Sequence, residues 1–213
     1  MKTGDLINML TTNIEAVDHR QVSRTLAAAV AGGAVIALGA ALIMLGGRSN
    51  IRSDEALAFL IVKLTFAVAV TLLASVYLTR LVRPGVHWRG WMALVGVPFA
   101  GIVGLAAISL ANAPALHWQA MFMGDEWLEC LLSIPIIAII PFALVIWAVR
   151  QAAPTNLRRA GALAGVVAGG LSAAGYALHC TADSLPFVAV WYGGTIMLCT
   201  LGGAVLGPRL LRW

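Results

Sequence analysis

The sequence predicts an all-α integral membrane protein: a six-helix transmembrane bundle preceded by a short amphipathic helix in the N-terminal tail. Three observations predict it. Of the 213 residues, 61% are apolar and only 11% charged, with a mean hydropathy of +0.91, whereas a soluble domain carries about 25% charged residues. Too few charges remain to cover a globular surface, so lipid must cover the apolar one. The apolar residues also gather into six runs, each long enough to cross a hydrocarbon core about 30 Å thick. Finally, the charges lie in short clusters between those runs.

The runs are 26–45, 56–78, 91–110, 131–149, 160–178 and 187–206. They divide the chain into a tail of residues 1–25, a bundle of 26–207 and a short C-terminal tail of 208–213. Helices are expected because a helix satisfies its own backbone in lipid and no strand-like alternation is present. The first run follows about 25 polar residues without a small-residue cleavage site, which predicts a retained anchor and not a removable signal. The net charge of +5 would suit a nucleic-acid partner, but its placement beside the runs points to the lipid bilayer, and no direct nucleic-acid contact is expected.

Orientation follows from the basic residues. Lys2, Arg20, Arg24, Arg80, Arg83, Arg89, Arg150, Arg158, Arg159, Arg209 and Arg212 fall on one side; only Arg48 and Arg52 fall on the other. The positive-inside rule places the first group, and both termini, in the cytoplasm. Six acids, Asp54, Glu55, Asp125, Glu126, Glu129 and Asp183, then face outward. Trp88, Trp91, Trp127 and Trp147 stand near run ends as interfacial anchors. The longest outer loop, 111–130, should lie against the membrane surface. Gly161, Gly165 and Gly169 make a small-residue stripe suited to close helix packing, with Gly202 and Gly203 as partners. Pro98, Pro135 and Pro141 are expected to kink their helices.

Three constellations carry chemistry. In the tail, Ile7, Leu10, Ile14 and Val17 recur at helical spacing with Leu6 alongside. No Lys or Arg lies between Thr3 and His19, whereas Asp5, Glu15 and Asp18 do. A surface-bound helix would want basic residues there; an apolar stripe in acidic surroundings suits the groove of a soluble partner. A tail packed under the bundle is the competing reading. On the outer side, Cys130 opens the fourth run and His179–Cys180 closes the fifth, placing two thiols and an imidazole at similar depth. A disulfide, a soft metal held by Cys130, His179 and Cys180, and two unrelated cysteines all remain open. Cys199, in the inner half of the last run, is read as a packing residue. Within the second run, Lys63 either pairs with an outer carboxylate such as Glu129 or Asp183, or snorkels outward.

The chain has no CxxC, nucleotide loop, HExxH or transmembrane carboxylate pair. No enzyme is expected, nor any cofactor beyond, at most, a transient heavy-metal ion. A small transporter or metal-efflux component is the competing class, with Lys63 and the thiols in its pathway. Against it, no carboxylate lies deep in any run and no run is clearly broken near its middle.

The opening Asp5-Leu6-Ile7 with Leu10, the six runs, Lys63, Cys130, His179-Cys180 followed by Asp183, and the closing Leu206-Gly207-Pro208-Arg209 through Trp213 resemble the NrsF-type family of six-span anti-sigma factors, over the whole chain. The resemblance implies an inner-membrane protein of a Gram-negative bacterium. Its cytoplasmic tail, with Asp5, Leu6, Ile7, Leu10 and Ile14, would hold an extracytoplasmic-function sigma factor. It also implies that the outer thiols, matched here by Cys130 and Cys180, respond to oxidants or heavy metals.

Overall fold

The structure is a computed structural model that describes residues 19–48, 53–82, 91–124, 126–152 and 154–212, with Gly4 besides. Six long helices account for most of it. They are α1, His19–Met44; α2, Asp54–Leu81; α3, Trp91–Asn112; α5, Trp127–Arg150; α6, Leu157–Ala177; and α7, Leu185–Leu210. Between α3 and α5 come a 3-10 turn, Ala115–His117, and the short α4, Trp118–Met123. All six long helices are apolar and long enough to cross a membrane.

Each long helix extends past its apolar run at one end or both, and several of the added residues are polar ones that suit helix ends. Asp54 and Glu55 lie in the first turn of α2 and Arg80 in its last. Arg150 closes α5. Acids at the positive pole and bases at the negative pole of a helix each stabilise by roughly 0.3–1 kcal/mol. Asn156 caps α6 by accepting from the Arg159 amide at 3.0 Å, and Ser184 caps α7 by accepting from the Phe187 amide at 3.3 Å. α1 ends at Gly46, whose φ of +82° is the left-handed geometry that glycine supplies without strain. Hydropathy does not register such residues. The helices run on through Pro98, Pro135 and Pro141.

α6 is the axis of the bundle. It packs on α1, α2, α5 and α7, and 89% of its apolar window is buried, against 11% for the peripheral α3. Glycines make this possible. A side chain on Gly161 would come within 2.6 Å of the Gly207 Cα, and one on Gly165 would strike the Cys199 backbone. Gly203 in turn meets the Gly161 backbone, while Gly202 faces open space; one residue turns the helix by about 100°, so only one of the pair can join the contact. The other faces of α6 follow the same logic. Gly175 lies against the Ala37 carbonyl of α1, and Gly170 against Thr71 of α2. Backbones this close gain many small dispersion contacts along the seam between the helices.

Candidate functional site: a buried charge cluster beside two thiols

At the end of the bundle where α1 finishes and α2 begins, the chain between α6 and α7 folds inward. Its start is fixed by the Tyr176 carbonyl, which accepts from the amides of both His179 and Cys180 at 3.0 Å. That tightened turn sends the Cys180 side chain into the core, where it is fully buried. Glu126, just before α5, straps the same segment. Its carboxylate accepts from the Thr181 amide at 2.9 Å and from the Thr181 hydroxyl at 2.5 Å.

Two cations converge on this turn. Arg48 arrives from α1 through Gly46 and Gly47, its amide donating to the Leu178 carbonyl at 3.0 Å. Its guanidinium donates to the Cys180 carbonyl at 3.2 Å and forms a two-pronged pair with the Asp183 carboxylate. Lys63 arrives from about a third of the way along α2. Its ammonium donates to the Cys180 carbonyl at 3.1 Å and to Asp183 Oδ1 at 3.3 Å, and lies 3.6 Å from Cys180 Sγ. An ammonium has three donors, and each here has an acceptor. The Arg48 and Lys63 side chains are 1% and 0% exposed. Burying such charges is costly unless they are paired and hydrogen-bonded, and one carboxylate serves both.

Cys130 lies in the first turn of α5, its amide donating to the Glu126 carbonyl at 3.0 Å. It is fully buried. Both thiols are free. Burial pushes the Cys180 thiol up from its ordinary value, and the Lys63 ammonium pulls it only part of the way back, so the resting group is the neutral thiol. Donating to the Asp183 carboxylate holds Arg48 further in its charged form. Against Cys180 also lies the buried Tyr192 hydroxyl, which has no well-directed hydrogen bond among the described residues. Tyr192 belongs to the π-helical turn Val188–Tyr192 of α7, an irregularity that frequently marks functional positions.

His179 is engaged elsewhere. Its Nδ1 meets the Gly46 carbonyl at 3.2 Å and its Nε2 lies 3.7 Å from Glu129. Among the described residues no three His, Cys, Asp or Glu side chains gather as a metal site. The set Cys130, His179 and Cys180 is therefore not assembled as a metal centre in this conformation. Of the two carboxylates that sequence offers to Lys63, Asp183 meets it, and Glu129 pairs with His179 instead. Arg48 escapes sequence reading altogether, although its isolation on a side poor in basic residues is a usable signal. Cys199 packs against Gly169 in α6, remote from the cluster. Asp5, Leu6, Ile7, Leu10 and Ile14 lie outside the described residues. Beside the charge cluster, a cavity of about 340 Å³ opens between His117, Met121, Glu126, Ala182, Asp183 and Phe187.

These features define a multi-helix bundle of membrane-spanning composition with a buried charge cluster and two free thiols at one end. Over residues 10–213 the chain matches the family described as NrsF, negative regulator of sigma F, and it belongs to that family. It is 35% identical, over the full length of both chains, to the probable anti-sigma-F factor NrsF of Azospira oryzae. It is 31% identical, again over both full lengths, to the anti-sigma-F factor NrsF of Caulobacter vibrioides. No solved structure matches the chain. The family is regulatory, in keeping with a chain whose sequence offers no catalytic motif.

Proposed function

We propose that the chain is an inner-membrane anti-sigma factor, which holds an extracytoplasmic-function sigma factor through its cytoplasmic tail and releases it when the outer thiols react. The full-length likeness to two anti-sigma-F factors carries this reading. Sidedness rests on the basic residues, eleven against two across the six helices. That split puts Cys130, Cys180 and the charge cluster outside, and α1 runs directly from them to the tail. Reporter fusions near Asn112 and Asp183 should read as periplasmic, and those near Pro84 and Pro154 as cytoplasmic; a cytoplasmic signal at Asp183 would overturn the orientation.

The tail's apolar stripe supplies the contact with the sigma factor, and its acidic flanks disfavour the membrane surface as an alternative. Oxidant or heavy-metal chemistry at Cys130 and Cys180 supplies the input. The coupling required is small, since a tenfold change between held and released partner needs only about 1.4 kcal/mol. The double change Leu6→Asp with Leu10→Asp places charges on the stripe, where an uncompensated buried charge costs about 3–5 kcal/mol. Sigma-dependent transcription should then be high without stress, while the protein still inserts at the parental level. Continued repression by an inserted double variant would remove the tail from the account.

A further inference from the structure

The surroundings of Cys180 are built around charge. Its neutral thiol is 3.6 Å from the Lys63 ammonium, and its carbonyl accepts from both Lys63 and Arg48. Asp183 is the carboxylate that meets both cations, while Glu126 is occupied by Thr181. Positive charge thus exceeds negative within hydrogen-bonding reach of this residue. A positive charge placed on Cys180 Sγ would repel Lys63 and compete for Asp183; a negative one would pair with Lys63. Arg48 stands four residues beyond the end of α1, and its amide ties that end to the Leu178 carbonyl. Loss of Asp183 as a shared anchor would therefore loosen the end of α1 on the turn between α6 and α7, leaving only the Arg48 bonds to the Leu178 and Cys180 carbonyls.

We propose that Arg48, Lys63 and Asp183 form a charge-reading clasp on Cys180: an adduct that leaves positive charge on the sulfur opens the clasp and frees the end of α1, and one that leaves negative charge keeps it shut. The proposal rests on the reading of Cys180 as a sensing thiol, and it names the class of reagent sensed. A soft divalent cation qualifies. The S–H bond breaks, a sulfur–metal bond forms, the proton passes to water and no electrons change hands. With Cys180 the only ligand that gives up a proton, one positive charge remains where there was none. Lys63 acts here as a positioning residue that converts charge at the sulfur into movement.

The test uses the full chain in lipid nanodiscs with Cys130→Ser and Cys199→Ser, which leaves Cys180 as the sole thiol. It is modified with trimethylammonioethyl methanethiosulfonate or, separately, with sulfonatoethyl methanethiosulfonate. Both form the same disulfide to Cys180 and release methanesulfinate; they differ in the charge carried. Mass spectrometry confirms modification, and amide hydrogen exchange is followed in the peptide spanning residues 42–48. The cationic adduct should speed exchange there by about tenfold over the anionic one, the response expected when a local anchor opens. In Lys63→Met, where the Arg48–Asp183 pair persists, the difference should shrink to about twofold or less. Equal exchange under the two adducts overturns the clasp and leaves the thiol reading standing. Exchange unchanged by both, relative to unmodified protein, overturns the clasp and the sensing role of Cys180 together. The comparison of adducts is made with Lys63 in place, so it does not depend on the folding of the Lys63 variant.

Discussion

Asp183→Asn should lower the thermal stability of the bundle by an amount on the order of 10 °C and reduce the protein found in membranes. The substitution keeps shape and one acceptor but removes the charge that both cations share. Arg48 and Lys63, with side chains 1% and 0% exposed, are then left without a counter-ion. Breaking a buried pair by removing one partner costs about 3–5 kcal/mol, a large share of the roughly 5–15 kcal/mol by which a protein is typically stable. Lys63→Met makes the contrast. It removes one buried cation, leaves Arg48 and Asp183 as a neutral pair, and replaces the stem with an apolar chain of similar length. Exchange of buried charge for well-packed apolar atoms is often neutral or stabilising, so Lys63→Met should melt near the parent. Thermal unfolding in detergent checks both. Equal melting of the Asp183→Asn variant and the parent would mean that the cations find other counter-charges.

The second large effect concerns the input. Cys130→Ser and Cys180→Ser should each preserve repression in unstressed cells and lose about tenfold or more of the release caused by a thiol-reactive metal, corresponding to about 1.4 kcal/mol or more of coupling. Serine nearly matches the shape of the thiol, the tail is untouched, and the group that reacts with a soft metal is gone. Cys199→Ser should respond as the parent does, because that side chain packs against α6 at Gly169, away from the cluster. Titration of the metal against a sigma-dependent reporter reads all three. A parental response in both the Cys130 and the Cys180 variants would leave the thiols without a sensory role.

The six helices were legible because an apolar run of about 20 residues has few other uses. Their ends were less so, since Asp54, Glu55 and Asn156 belong to helix termini through capping and dipole effects that hydropathy ignores. The glycine stripe announced close packing, but the central place of α6 was hidden. In retrospect its sequence carries the mark: α6 is the least apolar of the six helices, because a helix ringed by other helices needs small residues more than greasy ones. The site was half visible. For Lys63 the sequence left pairing and outward snorkelling open, with Asp183 as one of two candidate carboxylates on the same side. Arg48 was not visible as the second cation, because its inward course depends on the turn at Gly46 and on the Leu178 carbonyl, neither of which has a periodic signature. That Cys130, His179 and Cys180 are not gathered into one set in this conformation has a similar cause. Adjacency in sequence put His179 next to Cys180, but the turn sends the two side chains to different partners.

The central claim is that this chain holds a sigma factor through its first residues. Affinity capture of the tagged, full-length chain from solubilised membranes tests it most directly, with the recovered sigma factor quantified by mass spectrometry. The parent should bring down one sigma factor in near-stoichiometric amount, and the Leu6→Asp, Leu10→Asp variant, present at the same level, should recover about tenfold less or lower still. Absence of any sigma factor from the parent, or equal recovery with both proteins, would contradict the account.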